Sequence, residues 1–201
     1  MATETRKSYH HGNLYKTLLQ TGEEWIRTRG MEAFSLRACA KAAGVAHSAP
    51  GHYFKEVGEI FTEIGVRTFE RLADFIIQSK QAEPDADPLF AVCSAYVQFA
   101  RQDPKLFQML FHSDRINRGS ERFQRAGELA FRELALAIDP DPKKRQLNHA
   151  KILFAWSQIH GLAMLSIDGP MAPVGGNRSG LNEEPIVTSL RRLVEVVRNW
   201  N

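Results

Sequence analysis

The sequence predicts an all-α protein, with a three-helix helix-turn-helix head carried by a larger helical bundle. Three observations support this. Apolar residues recur at helical spacing from Leu14 to Val197, and no stretch shows the alternation of a strand. The breaks between those runs, at 83–88, 139–142 and 169–181, are rich in the proline, glycine and acidic residues of loops. The stretch Ser35–Phe54, S-L-R-A-C-A-K-A-A-G-V-A-H-S-A-P-G-H-Y-F, sets two short helices around a glycine turn, as a helix-turn-helix does. On this reading residues 1–56 form the head and residues 57–201 the body.

In chain order, Met1 to Tyr9 is a polar arm in which Arg6 and Lys7 could follow a phosphate backbone. His10 and His11 point apart on a helix, so they suit a cap or a phosphate contact better than a metal site. The first long helix is expected over Leu14–Arg29, with Leu14, Leu18, Leu19, Trp25 and Ile26 inward and Gly30 ending it. Phe34 then packs at the entrance of the helix-turn-helix. Ser35 stands where its hydroxyl can cap the next helix. Leu36, Ala40 and Ala43 give that helix a narrow apolar face. Gly44 supplies the left-handed backbone of the turn, and Val45 is expected as a buried plug. A second helix is expected from Ala46 or His47, with Pro50 in its first turn, where a missing N–H costs little. Helical domains that bind no DNA also contain such hairpins, so the flanks have to decide.

Past Phe54, the series Ile60, Phe61, Ile64, Phe69, Leu72 and Ile76 marks a long helix over Val57–Lys80 that reaches from head to body. Further helices are expected over Pro88–Arg101, Lys105–Phe111, Ser120–Ile138, Lys144–Ile167 and Glu183–Asn199. Large apolar residues crowd this half: Phe90, Tyr96 and Phe99; Phe107, Met109 and Phe111; Phe123, Leu129 and Phe131. Most are core, and aromatics between loosely connected helices also suit an apolar pocket with a few polar points. The last two helices are apolar on more than one side, through Ile152, Ala155, Trp156, Ile159, Ala163, Met164 and Ile167, and through Ile186, Val187, Leu190, Leu193, Val194 and Val197. A helix apolar on two sides has two partners, one inside the domain and one outside, and Gly161 and Ala163 would let the outer one come close.

The 201 residues can bury a sizeable core, and 43% hydrophobic with 24% charged residues is ordinary for a globular chain. The net charge of +3 is unevenly placed: residues 1–55 carry eight Lys/Arg against four Glu, and residues 56–201 carry 18 basic against 19 acidic side chains. The basic excess thus lies with the helix-turn-helix, where a phosphate-binding surface needs it. Cys39 and Cys93 read as buried thiols, with no spacing for a metal or a redox pair. No apolar signal core and no membrane-length run occurs, so a cytoplasmic protein without a membrane partner is expected.

Four segments of the head, H-H-G-N-L at His10–Leu14, R-G at Arg29–Gly30, A-K-A-A-G-V at Ala40–Val45 and S-A-P-G-H-Y-F at Ser48–Phe54, resemble the DNA-binding domain of TetR/AcrR-family transcriptional regulators. In the body, A-Y-V-Q-F-A at Ala95–Ala100, D-P-K-L-F at Asp103–Phe107 and W-S-Q-I-H-G-L-A at Trp156–Ala163 resemble the ligand-binding domain of the branch marked by a Trp followed by His-Gly. The resemblance implies a ligand-responsive repressor that binds palindromic operator DNA as a homodimer through its last two helices. It also implies a small apolar or amphipathic effector held in the body.

Ser35 and Arg37 are then expected at phosphates, and Ala46, His47, Ser48 and Ala49 at the start of the recognition helix, where Ala49 offers a methyl contact to thymine. His52, Tyr53 and Lys55 would reach the backbone. The ligand-binding candidates are Phe99, Phe107, Phe111, Phe131, Trp156 and His160. Gly51 stands where the family pattern has a phosphate-bonding tyrosine, Val57 where it has a lysine, and Ala46 where it has a capping serine. These departures point to weaker or altered DNA binding. They also keep open a second reading, a helical ligand-binding or interaction protein whose DNA binding has decayed. Enzyme readings find little: there is no Gly-rich phosphate loop, no Glu-x-x-His pair and no His-x-x-x-His. His160 reads as a bonded core histidine ahead of a catalytic or metal-ligating one. No cofactor is expected.

Overall fold

The computed structural model describes residues 11–168 and 183–200. The polar arm with Arg6, Lys7 and His10 and the 169–181 loop lie outside the described residues. The elements are α1 (His11–Arg29), α2 (Leu36–Ala42), a 3-10 helix (Ala49–His52), α3 (Val57–Ala82), α4 (Pro88–Gln102), α5 (Pro104–His112), α6 (Glu121–Ile138), α7 (Pro142–Leu147), α8 (His149–Asp168) and α9 (Glu183–Arg198). No strand occurs among the described residues. The protein is all-α.

Local chemistry sets most boundaries. Gly30 has φ 84°, and its N–H closes α1 on the carbonyl of Ile26 at 2.9 Å. The Ser35 hydroxyl accepts from the backbone N–H of Ala38 at 3.1 Å and so starts α2. Gly44 has φ 68°, a conformation that side chains rarely adopt, which fixes the turn after α2. Asp87 caps α4 by accepting from Leu89 N and Phe90 N, with Pro88 in the first turn. Arg198 at the end of α9 bonds the same carboxylate, tying the last helix to the start of α4.

The structure corrects the sequence reading in four places. The expected recognition helix is one 3-10 turn over Ala49–His52, preceded by turns at His47 and Ser48. Pro50 has no N–H to extend a helix, and Gly51 costs up to about 1 kcal/mol in one relative to alanine. Val45 is half-buried rather than a plug; Pro50 and Phe54 fill the space beneath the turn. The expected helix over 144–167 is two, because Asn148 closes α7 on the carbonyls of Lys144 and Arg145 before α8 begins. Leu129, in a series read as mostly core, is 46% exposed.

Two apolar clusters organise the packing. One joins Leu18, Leu19, Ile26, Phe34, Cys39 and Phe54 to the first half of α3 through Ile60, Phe61 and Ile64, and continues into Leu106, Met109, Leu110, Ile116 and Phe123. The other lies among the second half of α3, α4, α6, α8 and α9. Phe69 and Phe111 pack against both. Helix α3 can serve both because its 26 residues span about 39 Å. It runs close to α6 at Gly65, where a Cβ would stand 2.8 Å from the ring of Phe123.

Polar ties fix α1 to the helices behind it. The Glu23 carboxylate, 8% exposed, meets Arg67 Nε and Arg71 Nη1 of α3, each at 3.0 Å. Arg27 reaches Asp103, ahead of α5, through Nε at 2.6 Å and Nη2 at 3.2 Å. Beside it Lys105 Nζ donates to the carbonyl of Thr28.

Candidate functional site

Two features stand apart from ordinary packing: an exposed turn on the head and an apolar cavity in the body. The turn follows from the short 3-10 helix. Ala46, His47, Ser48, His52 and Lys55 are exposed along it, Ala49 is half-buried, and Arg37 projects from the exposed side of α2. Ser35 is exposed, with its hydroxyl engaged as the α2 cap. Tyr53 is half-buried with its ring against Tyr15, the centroids 5.7 Å apart. The backbone N–H of Lys55 donates to Glu59 Oε2 at 2.8 Å, which steadies the start of α3 and leaves the lysine side chain at the surface. Gly51 faces open space, since nothing lies within 4 Å of where its Cβ would be.

The cavity, of about 280 Å³, lies between α3, α4, α5, α6 and α8. Phe69, Tyr96, Phe111, Phe131 and Trp156 supply its rings, and Leu72, Ile76, Val92, Leu134 and Ile159 its aliphatic walls. Arg118, in the loop between α5 and α6, stands at its rim, and among the described residues no acidic side chain lines it. That volume lies at the lower end of the range for small-molecule pockets.

Of the six sequence candidates, Phe111, Phe131 and Trp156 line the cavity. The exposure of Phe131 is thus that of a side chain at an opening, its ring 6.0 Å from Trp156 and edge-on to it. Phe107 and His160 sit behind the wall, both edge-on to Tyr96, and Phe99 packs on Phe75 away from the lining. The hydroxyl of Tyr96 and Nδ1 of His160 share a hydrogen bond at 2.9 Å. Burial pushes the hydroxyl's pKa up, against the hydrogen bond it receives from Trp156. Burial lowers the pKa of His160, and the neighbouring charge of His112 lowers it further. This imidazole is therefore a neutral structural group that orients the cavity wall. The Trp…His-Gly motif divides its work: Trp156 faces the cavity, His160 braces Tyr96, and Gly161 faces outward with open space at its Cβ position.

Sequence reasoning missed Arg118 as a lining group. Its only sequence signal is a charge in the short run between two apolar helices. Phe69, Leu72, Ile76 and Tyr96 were legible as periodic apolar residues, without any indication that they face a void.

On the outside of α8 and α9 runs an open groove of about 630 Å³ lined by Phe154, Gly161, Leu162, Leu165, Leu193 and Val196. Ile159 and Ala163, which the sequence pattern offers to either side, point into the body and are buried. The thiols of Cys39 and Cys93 are buried too, which pushes their pKa values up to about 11 and about 12 and leaves them unreactive. Among the described residues no group of three His, Cys, Asp or Glu side chains converges as a metal site would require. No helix among them is long and apolar enough to cross a membrane.

A small three-element head joined by one long helix to a helical body with an apolar cavity recurs among known proteins. Residues 89–188 match the family described as Tetracyclin repressor-like, C-terminal domain. Solved structures share the whole fold. A protein of unknown function from Rhodococcus sp. RHA1 has a TM-score of 0.72 at 21% identity, over 96% of this chain and 97% of that one. The protein SCO4313 has a TM-score of 0.70 at 20% identity, over 92% and 97%. A TetR family transcription regulator from Marinobacter aquaeolei VT8 has a TM-score of 0.59 at 15% identity, over 92% and 95%. No curated protein matches the chain. The matched family is a repressor-like one, which points to transcriptional regulation.

Proposed function

We propose that this protein is a ligand-responsive transcriptional repressor that binds palindromic operator DNA as a homodimer. The observation that carries the reading is the pairing of an exposed head turn with an apolar cavity on one continuous helix, α3. In this reading the head is residues 1–56 and the body 57–201. His47, Ser48 and Ala49 meet base edges, while Arg37, His52 and Lys55 meet phosphates. Ser35 contributes through the helix start it caps. The dimer forms across the outer groove of α8 and α9, where the absent side chain of Gly161 leaves room for a second copy.

One observation favours the alternative of a helical ligand-binding protein with decayed DNA binding. The recognition segment is a single 3-10 turn, with Pro50 and Gly51 in it. A fluorescence-anisotropy titration of the protein's own upstream DNA against scrambled DNA, at several salt concentrations, separates the two. Preference for the upstream DNA at physiological salt is expected. Equal binding to both would defeat the repressor reading and leave the alternative.

A further inference from the structure

We infer that the ligand of the body cavity is an amphipathic anion, a carboxylate with a compact apolar or aromatic body whose charged end is held by Arg118. The inference rests on the reading of the cavity as an effector site and adds the chemical class of the effector. The cavity walls are rings and aliphatic groups, which accept an apolar body and reject a polar one. Their few polar groups are already engaged with each other, since the Tyr96 hydroxyl is shared with His160 and receives the Trp156 side chain. Arg118 differs. Its described hydrogen bonds run from Nη2 to the carbonyl of Phe111 at 2.9 Å and to the carbonyl of Ser113 at 3.4 Å. Both acceptors are neutral, and among the described residues no acidic side chain lines the cavity. The rim therefore carries a full positive charge beside a low-dielectric void, which raises its attraction for an anion. The planar guanidinium matches a carboxylate in a bidentate pair. Both of its forks, Nε with Nη2 and Nη1 with Nη2, include Nη2, so a carboxylate held in this way draws Nη2 off the carbonyls of Phe111 and Ser113.

The position of Arg118 also gives this contact a route to the head. Three residues earlier, the guanidinium of Arg115 lies over the ring of Phe61 at 5.8 Å and approaches the carbonyl of Phe34 at 3.5 Å. One residue earlier, the backbone N–H of Asn117 donates to Thr62 Oγ1 of α3 at 2.9 Å. An anion that draws Arg118 off its carbonyls pulls on a loop that also contacts the head and α3.

The test uses the intact protein and two probes of matched shape, 4-phenylbutyrate and the neutral 4-phenylbutanol, titrated by calorimetry. Tighter binding of the acid is expected, and Arg118→Gln should weaken the acid about tenfold while leaving the alcohol unchanged. Arg118→Lys should recover part of the loss, because it restores charge without the fork. Arg118 is exposed, so both variants should fold, and thermal melting confirms it. If both probes bind equally well, or if Arg118→Gln leaves the acid unaffected, the anion assignment is overturned while the cavity stands. If neither probe binds, the assignment is overturned together with the reading of the cavity as an effector site.

Discussion

Replacing Glu23 tests whether the head is locked to α3 by charge. The carboxylate is 8% exposed and stands 3.0 Å from Arg67 and 3.0 Å from Arg71. At about 4 Å between charge centres and an effective dielectric of about 20, each pair is worth about 4 kcal/mol before solvation is counted. Most of that is offset, because taking a carboxylate out of water costs several kcal/mol. Removing one partner from a fully buried pair typically costs about 3–5 kcal/mol. Here the guanidiniums are 34% and 35% exposed and can turn to water once the carboxylate is gone. Glu23→Ala should therefore destabilise by about 2 kcal/mol, less than a fully buried pair. For a chain of this size that lowers Tm by about 4–8 °C. Glu23→Gln keeps the shape and removes the charge, so it should show most of the same loss. Thermal unfolding followed by circular dichroism reads both. A Tm within about 1 °C of the parent for Glu23→Gln would refute the electrostatic account and leave packing as the tie.

Three further outcomes follow from the same geometry. Gly51→Ala should raise stability by about 0.4–1 kcal/mol, since its Cβ meets nothing within 4 Å and the backbone needs no left-handed residue; a lower Tm would contradict this. Leu165→Glu, on an exposed face of the α8–α9 groove, should yield a folded monomer by sedimentation, while the buried Ile159→Glu should fail to fold; a Leu165→Glu dimer would remove the groove from the proposed interface. His160 has a folded pKa below the ordinary value of about 6.5, so the unfolded chain takes up the proton first as pH falls. Its contribution is thus fully present above about pH 6.5 and lost as pH falls through the folded pKa, so His160→Gln should flatten the decline of Tm below that pH; unchanged slopes would assign the acid sensitivity elsewhere.

Much of this fold was legible because periodicity and caps act locally. The Ser35 cap, the turns at Gly30 and Gly44 and the break at 83–88 depend on a few neighbouring residues, and all are where sequence chemistry puts them. The recognition segment was misread because helix-turn-helix spacing outweighed the local effect of Pro50 and Gly51, two poor helix formers in succession. The cavity was half legible. An aromatic that faces a void and one that faces a neighbour have the same helical spacing, so Phe111 and Phe107 could not be told apart by pattern. Arg118 escaped because nothing periodic marks a rim residue in a loop. Its significance comes from which atoms it meets, and those lie on another element.

The two apolar clusters meet at Phe69 and Phe111, and this overlap decides how a ligand could act on the head. Both rings line the cavity, and they pack edge-on with centroids 6.0 Å apart. Phe69 also touches Phe123, 5.2 Å away, which belongs to the cluster around the head. A molecule entering the cavity cannot be accommodated without contacting rings that also support the first half of α3. Nothing along that path is soft: Gly65 already brings α6 against α3, and Glu23 and Asp103 hold α1 to α3 and to α5. A shift of α3 would therefore carry α1 with it, and the exposed turn with α1, as one piece. On the proposed function, coupling between the two sites would be about 1–3 kcal/mol and reciprocal, so that DNA on the head would weaken an inducing ligand by the same factor. The ion pairs at Glu23 and Arg27 then matter beyond stability. Without them the head could tilt independently of α3, and ligand binding would change the cavity while leaving DNA affinity where it was.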